Sequence, residues 1–125
     1  MKMFLLFSHK LTDEQKNDAY SLGIEEFAKL PENLQFKWSN VPADMENLNG
    51  YIDEFYEFLK KNAKKGDYAL IQGDFGMCCK MADFCKKIGV VPVYATTKRV
   101  AREIKRGDKV VKISEFKHVR YRRYE

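Results

Sequence analysis

Three short polar segments of this chain carry side chains able to do chemistry. Ser8-His9-Lys10 offers a hydroxyl, an imidazole and an ammonium. Gln72-Gly73-Asp74-Phe75-Gly76 offers an amide and a carboxylate between two glycines, which remove side chains where a backbone turns sharply or meets a ligand. Thr96-Thr97-Lys98-Arg99 adds two hydroxyls and two cations. Together these are the parts needed to hold a phosphodiester. Arg99 brings a fork suited to phosphate and a charge it does not lose, and His9 brings an imidazole able to act as general acid or base. Each also has a plainer structural use. Asp74 can cap a helix, His9 can be an exposed histidine at a strand end, and Trp38 and Tyr94 can be packing aromatics instead of platforms for a base.

No complete hydrolytic signature accompanies them. The nucleophile elbow, the Walker sequence, the dinucleotide-binding G-x-G-x-x-G and a metal-binding carboxylate cluster are all missing from the sequence. His9 and His118 lie far apart without zinc spacing. Cys78, Cys79 and Cys85 fall in one predicted helix and are odd in number, so buried thiols are expected in place of a disulfide framework or metal site. Neither a metal nor a cofactor is expected.

The elements that must position these groups follow from apolar periodicity. Lys2 to Phe7 reads as a buried strand, and Thr12 with Gln15 forms a capping-box pattern that opens a helix ending near Gly23. Ile24 to Ala28 reads as a short strand, and the prolines at 31 and 42 predict an irregular stretch through Trp38. Leu48, Ile52, Phe55 and Leu59 predict the longest helix, over Met45 to Lys64. Tyr68 to Gln72 is a strand. Phe75 to Ile88 is a helix, with Phe75, Cys78, Ala82 and Cys85 on its buried face. Val90 to Ala95 is another strand, and Gly107-Asp108 turns a hairpin between Val100–Arg106 and Lys109–Ile113. This succession predicts an α/β fold: a mostly parallel sheet with flanking helices and a C-terminal β-hairpin. Because carboxyl ends of parallel strands share one edge, the three polar segments are expected as turns gathered into one crevice.

A chain of 125 residues, 45% hydrophobic and 33% charged, reads as one globular domain, with an α/β core over 1–98 and a basic hairpin and tail over 99–125. The N-terminal apolar run Met3–Phe7 is far short of a membrane span and lacks a signal-peptide pattern, so a cytoplasmic protein is expected. Residues 98–125 hold eleven Lys and Arg against four Asp and Glu, a balance of +7 that leaves −2 to residues 1–97. That asymmetry favours a polyanionic partner, although lysines on a hairpin edge also discourage aggregation.

Phe7-Ser8-His9-Lys10-Leu11-Thr12, Leu30-Pro31, Gln72-Gly73-Asp74-Phe75-Gly76, Tyr94-Ala95-Thr96-Thr97-Lys98-Arg99 and Phe116-Lys117-His118-Val119-Arg120 together resemble, in order and over nearly the full length, the small Csx-type accessory proteins of type III CRISPR systems. The Cys78-Cys79 pair departs from the small or aliphatic residues expected after the glycine turn. The resemblance implies a minimal Rossmann-like (CARF-like) domain, a homodimer, and a ring nuclease that binds cyclic tetra-adenylate and cleaves it to switch off CRISPR signalling. It further implies that Ser8, His9, Gln72, Asp74, Thr96 and Arg99 line the ligand site. With their neighbours Lys10, Gly73, Phe75, Gly76, Thr97 and Lys98 they make the candidate set, in which Ser8, His9 and Arg99 are the candidates for catalysis. The expected mechanism is metal-free in-line attack by a ribose 2′-hydroxyl. Two other readings stay open: a non-catalytic sponge or sensor for the same messenger, and an RNA-binding module using the Arg120–Tyr124 tail. Neither DNA nor a membrane is an expected partner.

Overall fold

A computed structural model describes all 125 residues. Strand β1 (Lys2–Leu6) leads through Ser8–Leu11 to helix α1 (Asp13–Ser21). The capping box forms as expected: Thr12 Oγ1 accepts the Gln15 N–H at 3.2 Å, and Gln15 Oε1 accepts the Thr12 N–H at 2.9 Å. Then come β2 (Glu26–Lys29), α2 (Glu32–Ser39), α3 (Asp53–Asn62), β3 (Tyr68–Ile71), α4 (Phe75–Ile88), β4 (Val91–Arg106) and β5 (Lys109–Arg123). The strands form one sheet in the order β2-β1-β3-β4-β5, parallel throughout except for the antiparallel β4–β5 hairpin. This is the expected α/β architecture.

Alternation along the central strands sends side chains to opposite faces, and both faces are covered. Phe4, Leu6, Ala69 and Ile71 pack with Leu34 and Trp38 of α2, Phe55 and Leu59 of α3, and Met77, Met81 and Cys85 of α4. Met3, Tyr68, Leu70 and Val93 pack the other way, with Ala19 of α1 and Tyr121 of β5. Full burial of such a side chain contributes on the order of 1.5–3 kcal/mol, so the β1–β3 pair is firmly held and its carboxyl edge is a rigid platform.

Four sequence expectations are corrected. The stretch through Trp38 contains α2: Pro31 stands at the helix start with φ −56°, where its ring is preorganised and its missing N–H costs nothing, and Leu34 and Trp38 bury one face. The longest helix is α4, with 14 residues, because α3 begins only at Asp53, beyond the turn made by Asn49 and Gly50 (φ +78°). Phe75 is 93% exposed and lies off the buried face of α4, which Met77, Cys78, Met81, Ala82 and Cys85 form. Finally, Thr96-Thr97-Lys98-Arg99 is no turn: β4 runs straight through it, across the expected core boundary at 98, for 16 residues.

That last correction gives the molecule its most visible feature. Parallel pairing of β4 with β3 ends at Val93, so beyond a bulge at Thr96/Thr97 the only strand beside β4 is β5. Thr97–Arg106 and Lys109–His118 continue as a two-stranded ribbon about 30 Å long, at roughly 3.3 Å per residue.

Candidate functional site at the carboxyl edge of the sheet

Because β1 and β3 are parallel neighbours, Ser8–Lys10 and Gln72–Gly76 leave the sheet side by side. The chain goes from β1 outward to β2 and from β3 the other way to β4, so their carboxyl ends flank the point where a parallel sheet opens a crevice. Here α2 fills it. Gln35 Nε2 donates to the Phe7 carbonyl at 3.0 Å, Trp38 Nε1 donates to the Gln72 carbonyl at 3.0 Å, and the Ser39 and Ser8 hydroxyls lie 2.8 Å apart. Gly73 serves this plug: a Cβ there would lie 2.9 Å from Trp38 Nε1, so glycine makes room for the indole. Trp38 is therefore a buried packing residue, the plainer of its two expected uses.

Two clefts remain, one on each side of the plug. The first, of about 600 Å³, is lined by Ser8, His9, Lys10, Lys16, Lys29, Gln35 and Ser39 among others, and no carboxylate lines it. Its three lysines form no ion pair within the chain. The His9 ring is exposed and meets Phe7 edge-on with centroids 5.5 Å apart; no hydrogen bond orients it. Such a cleft attracts an anion and sets the His9 imidazole beside it.

The second cleft, of about 890 Å³, lies at the end of β3, beside the first residues of β4 and the last of β5, and is lined by Gln72, Gly73, Phe75, Cys78, Cys79, Tyr94, Arg122, Arg123, Tyr124 and Glu125. Gln72 is fixed in place: its Oε1 accepts the Ala95 N–H at 2.8 Å, tying the end of β3 to β4. Arg122 Nη1 donates to the Tyr94 hydroxyl at 3.2 Å, the Tyr94 and Tyr124 rings meet at 5.0 Å, and the Tyr124 hydroxyl donates to the Ile71 carbonyl at 2.6 Å. Burial pushes both the Tyr124 phenol and the Cys78 thiol above their usual ranges, so both stay neutral at physiological pH. This cleft offers cations, aromatic faces and the Glu125 carboxylate. At its rim Asp74 Oδ2 accepts the Met77 N–H at 3.0 Å, capping α4 as the plainer reading expected, while Gly76 lets Leu48 approach to 3.0 Å of where a Cβ would stand.

The candidate set is thus divided. Ser8, His9 and Lys10 line the first cleft; Gln72, Gly73 and Phe75 line the second, with Asp74 and Gly76 beside it. Thr96, Thr97, Lys98 and Arg99 line neither. The Thr96 hydroxyl donates to the Arg120 carbonyl at 3.0 Å, and Arg99 donates from Nε and Nη2 to the Ser114 hydroxyl at 3.1 and 3.0 Å, both within the hairpin. A single crevice holding all three segments does not form within one chain, because the third segment is strand and not turn. Lys16, Lys29, Arg122 and Arg123 take the places that sequence reasoning gave to Lys98 and Arg99. Lys29 was within reach of the strand-end rule, since it follows the apolar Phe27-Ala28. Arg122 was not, because its place opposite Tyr94 depends on the hairpin register.

Fold and site together define an α/β protein with two clefts at the carboxyl edge of its sheet, the first lined by lysines and no carboxylate. The chain belongs to the uncharacterized protein MJ1673 family, whose family model matches residues 1–122. It is 51% identical over 124 residues to uncharacterized protein MJ1673 of Methanocaldococcus jannaschii, covering 98% of this chain and 96% of that one. No solved structure matches it. No helix is long and apolar enough to cross a membrane.

Proposed function

We propose that this protein is a cytoplasmic, homodimeric ring nuclease with a Rossmann-like, CARF-like fold, which binds cyclic tetra-adenylate across the carboxyl edge and opens it without a metal. The observation that carries the reading is the first cleft, where His9 stands among Lys10, Lys16 and Lys29 with no carboxylate to compete for them. The resemblance to CRISPR accessory proteins supplies the identity of the ring. The two clefts open beside the ends of the neighbouring strands β1 and β3, on either side of α2, and the ring spans both. Phosphates suit the lysines of one cleft and the arginines of the other, and bases suit the faces of Phe75 and Tyr94.

In the reaction a ribose 2′-oxygen attacks the adjacent phosphorus, its proton passes to the His9 imidazole as general base, and the bond from phosphorus to the 5′-oxygen breaks. That oxygen takes a proton from water, leaving a linear product with a 2′,3′-cyclic phosphate. The lysines stabilise charge developing on the phosphoryl oxygens; Arg99, expected in that role, lies on the hairpin outside both clefts. Ser8, already bonded to Ser39, positions the backbone.

Excess labelled cyclic tetra-adenylate incubated with the protein in EDTA tests this. Multiple-turnover conversion to linear product is expected, falling about 10²- to 10⁴-fold in His9→Ala; undiminished turnover in that variant would remove the assigned role. A second reading is favoured by one feature, the lack of any hydrogen bond orienting the His9 ring: a sponge that retains the ring intact. Tight binding without turnover would establish it, and absence of both would refute the two readings together.

A further inference from the structure

The ribbon formed by residues 97–118 belongs to neither cleft, yet it contains eight Lys and Arg and three Asp and Glu, a net +5 equal to that of the whole chain. Its register makes the concentration costly. Lys98 stands directly opposite Lys117, and Arg106 opposite Lys109. Like charges facing each other across two strands repel, and a two-stranded ribbon without a third strand or a covering helix is marginal in water. Of the cations here only Arg102 has an ionic partner, Glu115. Edge protection needs a few lysines, not two facing pairs.

Aromatic and aliphatic groups are exposed among these charges. Phe116 is 71% exposed and pairs directly across the ribbon with Arg99, whose side chain is held against Ser114. Val110 is exposed on the same face with Lys105, and Lys112 lies there opposite Glu103, while the facing pairs Lys98–Lys117 and Arg106–Lys109 lie on the other face. Cations on both faces of a narrow ribbon, with one accessible aromatic ring among them, match the phosphates and unpaired bases of a strand that wraps it. A duplex would satisfy the cations but not Phe116, because its bases are already stacked. A second copy of the ribbon would bring +5 against +5.

We propose that the ribbon is a binding arm for single-stranded nucleic acid, with a base stacked on Phe116, phosphates along Lys105 and Lys112 on the same face, and the strand passing round the tip to Arg106 and Lys109 on the other face. RNA and DNA single strands share this chemistry, and the assay separates them.

The test is fluorescence anisotropy of full-length protein with a labelled 20-nucleotide RNA, the same DNA sequence, and the DNA duplex. Single strands are expected to bind more tightly than the duplex, and preference between RNA and DNA identifies the natural class. The variant K105Q/R106Q/K109Q/K112Q, altered only at exposed positions, is expected to lose at least tenfold in affinity. The slope of log affinity against log salt should fall by about 2 to 3. Phe116→Ala should lose about tenfold while Phe116→Trp retains binding. No binding of single strands, duplex preferred over single strands, or unchanged affinity in either weakened variant would overturn the proposal. So would a loss of self-association on sedimentation of the quadruple variant without any effect on nucleic acid. Cyclic tetra-adenylate turnover should be unaltered in the quadruple variant, so this proposal and the ring-nuclease reading fail separately.

Discussion

Cys85 is fully buried, and burial alone pushes its thiol from 9.0 up to about 12. The phenols of Tyr121 and Tyr124 are raised too, chiefly by burial and then by the charges of Asp18 and Cys78 respectively. All three groups are neutral when protonated, so the direction of linkage is the same. Below about pH 9 both folded and unfolded chains keep the thiol proton and the stabilisation is complete. Between about 9 and 12 the unfolded chain releases it while the folded one does not, so unfolding becomes easier as pH rises, by about 1.4 kcal/mol per unit for one such thiol. Urea titrations at pH 8 and 10.5 should therefore differ by on the order of 2 kcal/mol, and Cys85→Ala should reduce that difference. Equal stability at the two pH values would mean that Cys85 meets solvent. Cys79, one residue from buried Cys78, is exposed, which corrects the expectation of three buried thiols.

At the scale of elements, the decisive join is between α1 and the base of the ribbon. His118, whose side chain is 4% exposed, bonds through Nε2 to Asp18 Oδ2 at 2.7 Å, and the same oxygen accepts the Tyr121 N–H at 3.2 Å. The Tyr121 hydroxyl then donates to the Gln15 carbonyl at 3.0 Å. Removing the carboxylate strands a buried N–H and an imidazole, a loss of roughly 2–3 kcal/mol. Asp18→Ala should lower stability by that amount and speed hydrogen exchange at the Tyr121 amide well beyond that at Leu70. Equal acceleration at both would show that the tie is not local. This join also marks where sequence reading stops. Strand–helix alternation, the Thr12 cap and the Asp74 cap depend on neighbours within a few residues, and they were legible. The extent of β4 was not, because Thr96-Thr97-Lys98-Arg99 is polar on both faces and has no buried side to announce a strand. Nor was α2, whose apolar pair Leu34 and Trp38 is short enough to pass for loop between two prolines. The site was half legible for the same reason: strand ends show in apolar runs, whereas cations reaching a cleft from a neighbouring hairpin depend on register.

At the scale of the whole molecule, the proposed ring ligand and the distribution of surface groups argue for two chains around one ligand. A cyclic tetranucleotide has a two-fold axis, and a C2 dimer offers each half of it the same residues. One chain alone leaves Phe75 93% exposed at the mouth of the second cleft, a position that a facing copy or a bound base would cover. Sharing the ring also answers the division of the candidate residues, since a second chain supplies a second pair of clefts at the same edge. Light scattering should then give a mass of twice 14.7 kDa, and calorimetric titration with cyclic tetra-adenylate should saturate at one ring per two chains. Phe75→Asp should weaken ring binding, by on the order of tenfold if the side chain stacks on adenine. A monomeric mass with one ring bound per chain would remove the shared site and leave each chain to enclose the ligand by itself, which clefts lying on either side of a filled crevice are poorly shaped to do.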